Sequence, residues 1–279
     1  MVAYPEKNIS MKLRNDPYQI FRYSRTPAGL YARQKWLGEA ERSQWKTDFQ
    51  ETVGVLLAGQ SPDGSWHHET AATIKHLFGL HLTVRSSNPQ IESALAWLLE
   101  SIEIQTGKIQ VSAEDVATVN DLTGLPFVPS RPDMFLTAAT LFLATIFGRE
   151  NEPEEVAVYQ WLSDHGIKNK GLWYDRAGTH NIFRAMVVHP VFAKDNATAL
   201  AVEYHADLQA EDGGWGDDSS FYQTLNALAH LDLPQAETQL ERAFERLHET
   251  QNRDGTWSRS EPEWNTFLAI HALKNKGLL

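Results

Sequence analysis

There is no cysteine among the 279 residues of this chain. Composition alone therefore excludes disulfides, thiolate metal sites and cysteine nucleophiles. Positive charge is also scarce, with 25 Lys and Arg against 36 Asp and Glu and a formal net charge of −11. A surface of that sign argues against nucleic acid or an anionic membrane as a partner. No run of 18 or more apolar residues occurs, so no membrane-spanning helix is expected. The start, Met-Val-Ala-Tyr-Pro-Glu-Lys, has no apolar signal core, and the expected location is the cytoplasm. Hydrophobic residues make up an ordinary 42%, enough at this length for one domain spanning 1–279 with a sizeable core.

What the chain does have is a recurring element. Gln60-Ser-Pro-Asp-Gly-Ser-Trp66, Gln209-Ala-Glu-Asp-Gly-Gly-Trp215 and Gln251-Asn-Arg-Asp-Gly-Thr-Trp257 share one pattern. Trp173, in Gly171-Leu-Trp173, lies 42 residues before Trp215, which lies 42 before Trp257. A period of this length marks stacked supersecondary units. Phe49, Val53, Leu56 and Leu57 precede Trp66 at helical spacing, and Ile74, Leu77 and Phe78 follow it in the same way. Each unit thus reads as helix, Gly turn, helix. Asp-Gly supplies the positive φ that ends a helix, and the Trp wedges between packed hairpins.

Hairpins are expected over 45–82, 156–189, 197–231 and 236–279, with a further outer helix over 91–102 and an apolar helix over 134–147. Residues 17–37 read as one or two helices broken near Pro27-Ala-Gly29, making 1–44 a cap or a first hairpin. Residues 103–133 depart from the repeat. Ser112-Ala-Glu-Asp115 looks like a helix start, and the Pro-rich stretch 122–132 reads as either a lid or an inert insertion.

The repeated element resembles the QW motif of squalene and hopene cyclases, which recurs in looser form across the terpenoid-cyclase and protein-prenyltransferase superfamily. The resemblance covers roughly 45–279 and implies an all-α fold, an α/α toroid of about five to six helical hairpins around a central cavity. The chemistry of known members is not spelled out here. There is no Asp-x-Asp-Asp. Asp217-Asp218-Ser-Ser-Phe221 carries two of the three carboxylates of Asp-Asp-x-x-Asp, and the Zn²⁺ site of the prenyltransferases lacks its cysteine.

In such a toroid, residues just after each Trp start the inner helices at one rim. That positional logic nominates Asp218, His180, Glu69 and Asp133 as acid–base candidates, with Arg184, Arg176, Tyr222, Glu263, Trp264, Asn265 and His68 as substrate-binding ones. Helix capping accounts equally for acidic residues at these positions. His67-His68-Glu69 matches no metal-ligand spacing, and no metal or other cofactor is expected. The expected partner is an apolar, isoprenoid-type small molecule. A polysaccharide-processing toroid and a non-catalytic binding toroid stand as alternatives, and whether the chain catalyses anything is left open.

Overall fold

A computed structural model describes residues 11–103, 107–119, 122–216 and 218–279, and of Ala113, Glu114, Thr118, Asp218 and Ser219 the backbone alone. Among these residues there are twelve α-helices: α1 (Pro27–Lys35), α2 (Ser43–Leu57), α3 (Thr70–Thr83), α4 (Pro89–Glu100), α5 (Ala113–Thr118), α6 (Pro132–Ile146), α7 (Pro153–Lys168), α8 (Arg176–Met186), α9 (Asn196–Leu208), α10 (Asp218–Leu228), α11 (Pro234–Glu249) and α12 (Pro262–Asn275). One small antiparallel ribbon pairs β1 (Ile102–Glu103) with β2 (Lys108–Ile109). No helix among the described residues is long and apolar enough to cross a membrane.

The packing order closes on itself. α1 packs on α3, α3 on α6, α6 on α8, α8 on α10, α10 on α12, and α12 on α1. These six form an inner ring, while α2, α4, α7, α9 and α11 lie outside it. Burial separates the layers, because apolar residues surround the inner helices. α6 buries every residue from Met134 to Thr145, whereas α2 buries only Trp45 and Asp48. The fold is an all-α toroid, as the resemblance to the cyclase repeats implies.

The repeated turns lock neighbouring units together. Trp66, Trp173, Trp215 and Trp257 are fully buried, and each indole N–H donates to the outer helix of its own hairpin: to the carbonyls of Ala58 (3.0 Å), Leu162 (2.8 Å), His205 (3.1 Å) and Leu247 (2.7 Å). Each Gln reaches the other way. Gln60 Nε2 donates to the carbonyl of Gly64 in its turn and to that of Gln90 (both 2.8 Å) on α4, and Gln209 joins Gly213 to Gln239 on α11 in the same manner. The turn glycines have φ between +82° and +95° and touch the next unit. A Cβ on Gly213 would sit 2.4 Å from the Arg242 carbonyl oxygen, so both conformation and space require glycine.

The last turn closes the ring. Gln251 accepts from the amides of Arg14 and Asn15 (3.0 Å each) and donates to the Asn15 carbonyl, so the N-terminal segment stands where the next outer helix would be. The break expected near Pro27 falls just before it, between a 3₁₀ turn at Gln19–Phe21 and α1; α1 begins at Pro27 because Thr26 caps it through the Gly29 amide and proline at the first turn has no N–H to lose.

Candidate functional site

The ring encloses a central cavity of about 400 Å³, lined from every inner helix. Tyr31, Phe78, Phe142, Trp264 and Phe267 are its aromatic wall residues. They touch edge-on or stacked: Phe78 with Phe142 at 5.9 Å, Trp264 with Phe267 at 5.3 Å, Tyr31 with Phe267 at 5.4 Å between centroids. Most lining residues come from the C-terminal halves of their helices. The opposite, N-terminal end is covered by segment 122–131, whose Leu125, Phe127 and Val128 are buried. That segment is tied down by Trp264 Nε1, which donates to the Leu125 carbonyl (3.1 Å), and by Asn181, which both donates to and accepts from Val128 (2.9 Å each).

The polar groups of the cavity are Arg85, Arg184, Asn226, His81, His230 and His271. Arg184 donates to Asn226 Oδ1 (3.3 Å) and lies over the Phe142 ring at 4.7 Å. Burial lowers its pKa to about 9, which leaves it protonated at neutral pH. Burial, then the nearby Arg184 charge, pushes His81 down to about 3 and His271 to about 4, and depresses His230 as well. His81 and His271 are therefore neutral above about pH 5, and the downward shift of His230 favours its neutral form too. His230 and His271 stack at 5.5 Å, and Asn226 bridges toward both. Among the described residues no carboxylate lines the cavity.

The residues nominated from sequence do not gather at one point. Arg184 and Trp264 line the central cavity. His180 and Arg176 line a second cavity of about 360 Å³, with His205, Trp215 and Thr224. Burial drives His180 down to about 3, so its ring is a neutral imidazole, bonded to Thr224 at 3.3 Å. Glu263 lines a third cavity of about 630 Å³, which shares Phe78, Leu82 and Trp264 with the central one, and it accepts from Ser24 Oγ (2.9 Å) and from Thr26 Oγ1.

The remaining nominees lie outside these linings. Asp133 is paired with Lys108 (3.2 Å) and Arg131 (2.9 Å), which hold its carboxyl below the usual range against the opposing effect of burial. His68 is exposed and bonded to Asp63 (2.8 Å), and Glu69 sits at the N-cap of α3. Tyr222 is buried against Phe221, and Asn265 donates to the Ser260 carbonyl (2.8 Å). Asp217 and the side chain of Asp218 lie outside the described residues.

The histidines that do share the cavity carried a signal. His81, His230 and His271 stand 15, 15 and 14 residues after Trp66, Trp215 and Trp257. Four turns of helix carry each from the Trp rim to the C-terminal end of its inner helix. The repeat register thus marks the far rim, which reasoning from the near rim passes over.

No protein-family model matches the sequence, and no curated protein is significantly similar to it. Solved structures are similar in fold. A type II terpene cyclase, MstE from Scytonema, matches at a TM-score of 0.58 and 13% identity over 91% of this chain and 89% of its own. Its R337A variant, solved with geranylgeranyl dihydroxybenzoate as substrate, matches at 0.58 and 13% over 91% and 88%. A protein from Actinoplanes matches at 0.57 and 15% over 89% and 87%. The fold is terpenoid-cyclase-like.

Proposed function

We propose that the protein binds an apolar small molecule of isoprenoid type in the central cavity. The observation that carries this is the aromatic wall of Tyr31, Phe78, Phe142, Trp264 and Phe267 inside a ring of six helices. Its volume of about 400 Å³ falls in the range of small-molecule sites. The substrate-bound Scytonema structure supports the reading at the level of fold. The turns built on Trp66, Trp215 and Trp257 are taken as counterparts of the QW repeats, and the described residues 122–131 as a lid over the N-terminal rim.

Binding without alkene protonation is the favoured form of this reading. A cyclase of the protonating type needs a carboxylic acid facing the chain, and the cavity lining offers guanidinium and neutral imidazole instead. The acid–base roles proposed for His180, Glu69 and Asp133 would require a reacting centre outside the central cavity; that of Asp218 rests on a side chain outside the described residues. A polysaccharide site calls for an open polar groove, and this enclosed aromatic cavity favours the apolar ligand.

The test is calorimetric titration of the protein with a twenty-carbon prenyl alcohol and, separately, with a pectic oligosaccharide. Saturable binding of the alcohol alone, weakened by Phe142→Ala, supports the proposal. Binding of the oligosaccharide alone overturns it.

A further inference from the structure

Arg184 is a cation that the fold leaves without a counter-charge. It is 4% exposed, and of its three nitrogens only Nη2 has a partner, the neutral Asn226; Nε and Nη1 are buried with none. Arg85, nearer the mouth, repeats the arrangement. Its Nη2 donates to the neutral Gln34 (2.6 Å), its Nε is buried without a partner, and its charge lies over the Tyr31 ring at 5.5 Å. Among the described residues no carboxylate lines the cavity, and burial lowers the pKa of all three of its histidines, favouring their neutral forms. Buried charges are held where something pairs with them, because removing an ion from water is otherwise heavily unfavourable. Among the described residues no carboxylate pairs with the Arg184 guanidinium, and its side chain lines the cavity.

We infer that the natural ligand is an amphiphile, an apolar chain ending in a single carboxylate that seats on Arg184, with the chain running inward against Phe142, Trp264 and Phe267. This rests on the isoprenoid-type reading of the cavity and specifies the ligand's polar end. A carboxylate matches the planar guanidinium, which can meet it with two parallel hydrogen bonds. A diphosphate is disfavoured, because its larger charge is ordinarily balanced by a divalent cation held on carboxylates and this cavity lining has none. Arg85 at the lip adds a positive field that draws an anion inward.

The experiment is a calorimetric series with matched fifteen-carbon ligands: the prenyl acid, the alcohol, the methyl ester, the monophosphate and the diphosphate. The wild-type protein is expected to bind the acid at least about tenfold more tightly than the alcohol or the ester, a difference of about 1.4 kcal/mol. In Arg184→Met that preference disappears while alcohol binding persists. The melting temperature of the unliganded variant holds or rises, since an unpaired buried charge has been replaced by an apolar chain of similar length. Equal affinity of acid and alcohol in the wild type overturns the head-group assignment and leaves chain binding intact. Either phosphate binding more tightly than the acid overturns the carboxylate. Failure of every member to bind overturns the isoprenoid reading itself. The wild-type series decides the matter even where Arg184→Met does not fold.

Discussion

Glu155 on α7 shows how burial sets the chemistry of a single residue. It is fully buried, and this raises its carboxyl from the ordinary 4.5 to about 8, although the hydrogen bond to Thr145 pulls the other way. Thr145 Oγ1 has one proton and two neighbours at 2.9 Å, Glu155 and Tyr159, while Tyr159 donates to the Ala185 carbonyl. A protonated Glu155 lets each hydroxyl in this chain donate once. Because the folded pKa is raised, the contribution to stability is fully present below about pH 4.5 and is lost as pH rises through about 8. Below about pH 6.5 the buried histidines, with lowered pKa values, oppose this trend, so the melting temperature should fall between pH 7 and pH 9, and Glu155→Gln, whose amide keeps the donor, should flatten that fall. An unchanged slope would contradict the assignment.

Sequence and structure also differ at this scale. His180 and Arg184, four apart on one helical face, allow from sequence either an anion-binding or acid–base pair or, equally, a solvated rim pair. Segment 122–131 fills the space at the level of His180, so Arg184 faces the central cavity and His180 the second one. Long-range placement of a loop is not written in local spacing.

The helical hairpins were legible because their causes are local: apolar periodicity, Asp-Gly turns and a buried ring beside each turn. The same local causes make the turns testable. Gly213→Ala forces a Cβ to 2.4 Å from the Arg242 carbonyl at a φ of +82°, and it should lower the melting temperature. Gly54, exposed within α2 with open space around its Cα, should do the reverse, since alanine gains roughly 0.5–1 kcal/mol over glycine in a helix. Differential scanning calorimetry on the two variants checks both signs. Trp215→Ala should cost about 3–5 kcal/mol through the cavity it leaves, read from denaturant unfolding; an unchanged midpoint would show that the ring does not pin the hairpins. The role of α1 was less legible. Its place in the inner ring depends on contacts with α3 and α12 that are far away in sequence.

For the molecule as a whole, ring closure turns a linear repeat into a container. The resemblance of the repeat to the QW motif implied a toroid but not which rim of the cavity would be covered. Positional logic pointed to the N-terminal ends of the inner helices, and there the described structure places segment 122–131. The shared cavity gathers C-terminal-half residues instead, among them Arg184, His81, His230 and His271. Val188 lines it just beyond the end of α8. Val188→Trp should therefore obstruct ligand entry, lowering prenyl-alcohol affinity by about tenfold or more, roughly 1.4 kcal/mol, with little change in melting temperature.

The central claim is that the ring of six helices holds an apolar chain. A crystal structure of the protein grown with a twenty-carbon prenyl ligand tests it most directly. The account predicts the chain inside the cavity against Phe142, Trp264 and Phe267. A chain bound on the outer layer while that cavity stays free of it would contradict the account.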